Sequence, residues 1–118
     1  MRYLLLIYAD ESQYAGMSEP ELQADMAKWW EYDSAIKGAG AASAGEALQP
    51  TTTGTTVRVR DGKTLTTDGP FAETKEQLGG YYVLDVENLD AAIEWAHKCP
   101  GAQYGSIELR PIQEFEQG

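Results

Sequence analysis

Two segments of this 118-residue chain are apolar at nearly every position: residues 2–9, running from Arg2 through Leu4, Leu5, Leu6 and Ile7 to Ala9, and residues 81–86, from Tyr81 to Val86. A strand with one wet face alternates apolar and polar side chains, because successive Cβ atoms point to opposite faces. These two segments do not alternate, so each reads as a central strand covered on both faces. Only two stretches elsewhere carry helical patterning, and two helices can cover only one face of a sheet. The second face needs another cover, which a homodimer packed sheet against sheet would supply.

The remaining elements follow from local signals. Ser18 and Glu21 have the spacing of a capping box, with Pro20 tolerated in the first turn, so a helix is expected over 19–38. Its inward stripe reads as Leu22, Met26, Trp29, Trp30 and Ile36, and Gly38 and Gly40 offer a left-handed C-cap. Glu46, Ala47 and Leu48 suggest a short strand. Val57 and Val59 alternate with Thr56, Arg58 and Arg60, predicting one buried and one polar face over 55–60. Asp61-Gly62 then joins that strand to 63–67 as a hairpin. Asn88 is placed to cap a second helix whose stripe is Leu89, Ala92, Ile93, Ala96 and Cys99, stopped by Pro100 and Gly101. Ser106 to Pro111 forms a last strand around Ile107 and Leu109. The order is strand, long helix, strand, hairpin, strand, helix, strand. This predicts an α+β, ferredoxin-like protomer, a split β-α-β with an antiparallel sheet, as a single domain over 1–112 with a short polar tail at 113–118.

Charge and residue counts exclude several function classes. Nine Lys and Arg against 19 Asp and Glu give a net charge of −10, which opposes direct binding to nucleic acid or to an anionic membrane. The acidity is uneven: residues 61–118 hold 11 acidic and 4 basic side chains, residues 1–60 hold 8 and 5. One Cys forms no intramolecular disulfide, and one His with one Cys makes no His/Cys metal cage, so a cytoplasmic chain without metal or other cofactor is expected. The apolar run Leu4 to Ile7 is too short for a signal peptide core, which needs about 7 to 15 residues, or for a membrane span.

The segment 67–81, Thr-Asp-Gly-Pro-Phe-Ala-Glu-Thr-Lys-Glu-Gln-Leu-Gly-Gly-Tyr, resembles the signature of the DGPF family, a branch of the YCII-related proteins. The opening 2–8, the stretches 45–50 and 57–62 and the closing 105–111 are similar to it as well. The resemblance implies a dimeric α+β barrel built from ferredoxin-like protomers, and an association of family members with extracytoplasmic-function sigma factors. Related YCII proteins carry a His-Asp pair proposed as catalytic. The single histidine here, His97, lies outside the motif block, so that pair does not carry over to it.

Candidate chemistry then rests on carboxylates, Lys, Arg and Tyr. Asp68, ahead of Gly69-Pro70, is either a general acid or base projected into a cleft or the acceptor of an Asx-turn. Glu73, Lys75 and Glu76 form either a solvated connection or a lid in which Lys75 holds a substrate carboxylate, with Gly79 and Gly80 allowing close backbone approach. Asp33 lies within about 20° of Leu22 on the first helix's apolar stripe. It either emerges to solvent, pairs with Arg58, Arg60 or Arg110, or lines a pocket. Glu108 and Arg110 share one side of the last strand, where Arg110 is either a cross-strand partner or an anion contact. The Tyr8 and Tyr81 phenols are either packing groups or oxyanion donors. Trp95 is expected partly exposed, His97 at a helix end and Cys99 buried. Two functions remain open: an enzyme-like or small-molecule-binding homodimer with one cleft per protomer near the 68–71 loop, floored by the sheet and roofed by the first helix and the loop from Asp68 to Gly80, doing cofactor-free acid/base chemistry if any, or a non-catalytic regulatory module that meets a sigma factor or another basic partner.

Overall fold

The computed structural model describes residues 1–116. Strand β1 (Arg2–Ala9) leads through a single helical turn, α1 (Ser12–Ala15), to the long helix α2 (Glu19–Gly38). Strand β2 (Ala42–Ala47), a hairpin of β3 (Thr55–Arg60) and β4 (Lys63–Asp68), strand β5 (Gln77–Asp85), helix α3 (Leu89–Lys98) and strand β6 (Ser106–Pro111) complete it. The main sheet has the order β2-β5-β1-β6, and each neighbouring pair is antiparallel. With the hairpin set aside, this is the strand order of the split β-α-β fold expected from the element order. The hairpin forms its own two-stranded sheet.

Local chemistry sets the helix ends. The Ser18 hydroxyl accepts from the Glu21 amide at 3.3 Å, the first bond of the expected capping box, and donates to the Glu21 carboxylate at 2.9 Å. At the other end of α2, the Ala41 amide reaches the Ile36 carbonyl and the Gly40 amide reaches that of Lys37. Gly40 has φ +70°, so this is a Schellman stop that needs glycine's left-handed freedom. The Asn88 side chain accepts from the Ala91 amide at 3.0 Å and starts α3. Asp61 and Gly62 both have positive φ, as a two-residue hairpin turn with the right-handed strand twist requires.

Tyr3, Leu5 and Ile7 of β1 and Tyr82 and Leu84 of β5 share one face of the sheet. Tyr32 and Ile36 of α2, Ala92 of α3 and Cys99 pack onto that face, so both helices lie on the same side. The Tyr32 hydroxyl donates to the Trp95 carbonyl at 2.8 Å and ties α2 to α3. On the opposite face, Leu4, Leu6, Tyr81 and Val83 are only half-buried and no described element lies over them. The molecule is accordingly thin, 52 × 48 × 19 Å, with room for one sheet and one helical layer.

Several expectations are corrected. The buried residues of α2 are Tyr32 and Ile36, with Trp29 partly buried, whereas Leu22, Met26 and Trp30 are exposed. In α3, Leu89 and Ile93 of the expected stripe are exposed, whereas Ala92, Ala96 and the C-cap Cys99 face inward as expected and Trp95 is partly buried against them. Val57 and Val59 are exposed at 59% and 61%, and Leu65 on the paired strand is exposed as well, so the expected buried face of the hairpin is not covered. Strand β2 begins at Ala42, four residues before the expected start at Glu46, and β5 begins at Gln77 instead of Tyr81. Of the expected polar tail, Glu114 forms a two-pronged pair with Arg2, while residues 117 and 118 lie outside the described residues.

The two stripes of α2 are separable by mutation. Ile36→Ala is expected to cost about 2 to 5 kcal/mol in urea unfolding, and Leu22→Ala to stay within about 0.5 kcal/mol. Equal costs would contradict the observed rotation of the helix.

Candidate functional site

On the helix-facing side of the sheet, the cross-strand rows end at β2 on residues with little or no side chain. One cross-strand row runs Leu5, Tyr82, Gly45 and the next runs Ile7, Gly80, Ala47. Helix α2 extends over this edge, where the sheet offers no bulk to meet it. The result is a cleft of about 620 Å³ floored by Gly45, Ala47, Gly79 and Gly80 and roofed by Met26, Trp29, Trp30 and Asp33. A Cβ at Gly45 would collide with the Tyr82 ring, so glycine is required there. One at Gly80 would press on the Glu46 carbonyl at 3.0 Å. Gly79 is the extra residue of a bulge where the β1 register shifts between Ile7 and Tyr8.

Asp33 stands at the inner edge of the roof. Its carboxylate accepts from the Tyr82 hydroxyl at 2.7 Å and pairs with Lys37, one turn on, at 3.2 Å. The Tyr82 hydrogen bond, opposed by partial burial and aided by Lys37, holds the Asp33 carboxyl below the usual range. Burial, and then the Asp33 carboxylate, push the Tyr82 phenol upward, so it stays a protonated donor at neutral pH. Of the three fates open to Asp33, it lines a pocket, and its partners are Tyr82 and Lys37 instead of an arginine.

The far end of the cleft is aromatic. The Trp29 indole N–H donates to the Tyr104 oxygen at 3.1 Å, and the Tyr104 and Tyr14 hydroxyls lie 3.1 Å apart. The Tyr14 and Tyr104 rings meet edge to face at 6.4 Å. Glu11 braces this end: its carboxylate accepts from the Thr51 amide and hydroxyl, each at 2.8 Å, and its amide donates to the Gln77 side chain at 2.9 Å. Those bonds join α1, the turn at 51–53 and the start of β5.

The residues singled out from sequence fall in three places. Asp68 ends β4, exposed, with the Thr55 hydroxyl at 3.4 Å, and does not line the cleft. Lys75 is exposed in the following loop, and Glu76 accepts from the Ser106 hydroxyl at 2.7 Å. Tyr8 and Arg110 lie with Glu108 on the open side of the sheet, where the Tyr8 hydroxyl donates to Glu108 at 3.2 Å. Burial first, then Glu108, raises the Tyr8 phenol. Tyr81 borders the cleft, while the register sends its side chain to the open face beside Leu6. Arg58 stacks over Phe71 at 5.6 Å, and the Arg60 guanidinium donates to the neighbouring Val59 carbonyl. Cys99 is buried and its thiol is pushed up to about 11 by desolvation, which leaves it unreactive at neutral pH. His97 is exposed in the last turn of α3, and among the described residues no group of three His, Cys, Asp or Glu is placed to hold a metal ion. Among the described residues no helix is long and apolar enough to cross a membrane. The sequence reading missed Tyr14, Tyr104 and Gly45. Lys37 carried a visible signal, its spacing of four from Asp33.

The family model described as the YCII-related domain matches residues 1–116. The uncharacterised protein R00369 of Rhizobium meliloti (strain 1021) is 38% identical over 120 residues, spanning 100% of this chain and 97% of that protein.

The Tyr82–Asp33 bond has a pH signature. A carboxyl held below its unfolded value stabilises the fold above that value, about pH 4, and the contribution is lost as pH falls through the folded value. Tyr82→Phe is expected to cost about 1 to 2 kcal/mol at pH 7, with the difference from wild type shrinking as the pH falls below about 4 in urea titrations. A difference independent of pH would show that the bond does not act through the ionised carboxylate.

Proposed function

The chain belongs to the YCII-related domain family, and we propose that it is a homodimeric binding protein of the cytoplasm whose cleft between α2 and the β2–β5 edge takes a small organic molecule. The observation that carries this reading is the unfilled space. A helix overhangs a glycine- and alanine-lined floor, and the volume of about 620 Å³ falls within the roughly 300 to 1,000 Å³ of small-molecule sites. Large aromatic faces with a few polar groups line it, as such sites require. An interaction module would have no use for the cavity.

Binding is favoured over acid/base catalysis by the state of the titratable groups. A carboxylate with its pKa lowered is a weak base, and Asp33 already has its two oxygens engaged by Tyr82 and Lys37. Burial raises the phenols of Tyr82 and Tyr104, which suits them to donating hydrogen bonds and not to losing protons. Asp68, Lys75 and Arg110 do not line the cleft, so the catalytic and anion-holding roles considered for them find no support there. The dimer is supported by the open face: Leu4, Leu6, Tyr81 and Val83 form an apolar strip that a second copy would cover.

A thermal-shift screen of metabolites tests the cleft. A ligand at about 100 times its Kd adds about 2.7 kcal/mol, roughly 10 °C in Tm for a domain of this size. Ala47→Phe, which fills the floor, is expected to abolish the shift, and Asp68→Asn to retain it. Hits that bind Ala47→Phe unchanged would overturn the assignment of the site. In sedimentation, wild type is expected to be a dimer and Leu6→Glu a monomer; a monomeric wild type would refute the dimer.

A further inference from the structure

We propose that the aromatic end of the cleft, walled by Tyr14, Trp29 and Tyr104 beside Asp25, is a cage for an organic ammonium group, so that the ligand is an organic cation with an apolar body. This rests on reading the cleft as a small-molecule site and adds the chemical class of its occupant.

Three observations point to a cation. The first is the wall itself. Trp29 and Tyr104 are tied by the indole N–H, Tyr104 and Tyr14 meet edge to face, and all three border the cleft. The Tyr14 and Tyr104 rings stand 85° apart, and an ammonium ion entering between these rings and Trp29 is attracted wherever it meets a ring face, the negative end of the aromatic quadrupole. Trp29 is seated by Gly101, where an added Cβ would lie 3.4 Å from its ring carbons.

The second is the donor inventory. The Trp29 N–H is spent on Tyr104, and of the two tyrosine hydroxyl protons one lies between the two oxygens. One O–H and the second amide proton of Gln77, whose other is given to the Thr74 carbonyl, remain at this end for a ligand. That is too few donors to replace the hydration of a carboxylate or phosphate, which accepts several hydrogen bonds.

The third is charge. Asp25 stands one turn before Trp29 on α2 and lines the same cleft, close enough to Tyr104 for its charge to help raise that phenol. Among the described residues Asp25 has no ion pair. The Lys37 ammonium, the cation of the cleft lining, is already held by Asp33. Glu11 adds a second carboxylate to this end, its oxygens committed to Thr51. An entering anion would meet like charge, while a cation would find Asp25 free, within a chain whose net charge of −10 attracts it.

The test compares benzyltrimethylammonium, benzyl alcohol and benzoate as probes of one ring size, read by tryptophan fluorescence and thermal shift on the full chain. The ammonium probe is expected to bind at least about tenfold more tightly than the other two. Asp25→Asn is expected to remove most of that preference without changing benzyl alcohol binding. Tyr14→Leu, a change at a half-exposed site on a single helical turn, is expected to weaken the ammonium probe alone, and keeps the test available if Asp25→Asn fails to fold. Benzoate or benzyl alcohol binding as tightly as the ammonium probe would overturn the cation assignment and leave the cleft standing. No binding of the ammonium probe at millimolar concentration would also overturn it, and the cleft would then stand or fall on the Ala47→Phe result.

Discussion

The Tyr82 side chain sets how α2 sits on the sheet, and the rest of the molecule's working surface depends on that spacing. Its ring meets Tyr32 edge to face at 5.7 Å, and Tyr32 in turn meets Trp29 and Trp95 at 6.3 and 6.2 Å. Aromatic rings packed edge to face between a helix and a sheet act as rigid spacers, since the ring itself has no internal torsion through which to shorten. The Tyr82 ring leans over β2 because Gly45 has no Cβ, and its hydroxyl reaches Asp33 on the helix. The helix is thereby held off the sheet above residues that have little or no side chain. The cleft follows from that packing and needs no separate device to keep it open.

Local chemistry was legible in the sequence, and partnership was not. The capping box at Ser18, the Asn88 cap, the Asp61-Gly62 turn and the Gly40 stop all appear where short-range hydrogen bonding or φ preference dictates them. The start of β2 did not show, because Ala42, Ser43, Ala44 and Gly45 have no strand preference of their own and are extended only through pairing with β5. Gly79-Gly80 reads as a break in any local scheme, yet it is the glycine pair a bulged central strand requires. For the candidate site the same division holds. Asp68 to Lys75 stand out as the front of a motif and lie outside the cleft, to which only the motif's end contributes, through Gln77, Gly79 and Gly80, whereas Tyr14, Trp29, Gly45 and Tyr104 come from four separate segments and look ordinary in each. Asp33 was legible as an anomaly on an apolar stripe; its partner Tyr82 is 49 residues away and became visible only in the fold.

The alternation of β5 places two surfaces on one strand. Gly80, Tyr82 and Leu84 face the helices, and Tyr81 and Val83 face the open side. A partner lying on the open face would press on the strand that floors the cleft. Coupling between the two surfaces needs no chain of intermediate side chains, because adjacent residues of a single strand belong to both. Edge strand β2, paired on one side only, is the part of the floor with the least support of its own.

Helix α2 shows why weak amphipathicity is informative. A helix that only covers a core concentrates its apolar residues on one stripe. Here Tyr32 and Ile36 take the core, while Met26 and Trp30, about a quarter-turn or more away, take the roof of the cleft, with Trp30 65% exposed. Apolar groups spread over more than a quarter-turn of one cylinder weaken its sidedness, although each surface is well defined. Strong caps at both ends, supplied by Ser18 with Glu21 and by Gly40, hold the helix without the help of a single dominant face. A large aromatic left exposed over a cavity contributes little to folding. Under the proposed binding role, its contribution comes when a second apolar body enters the space beneath it.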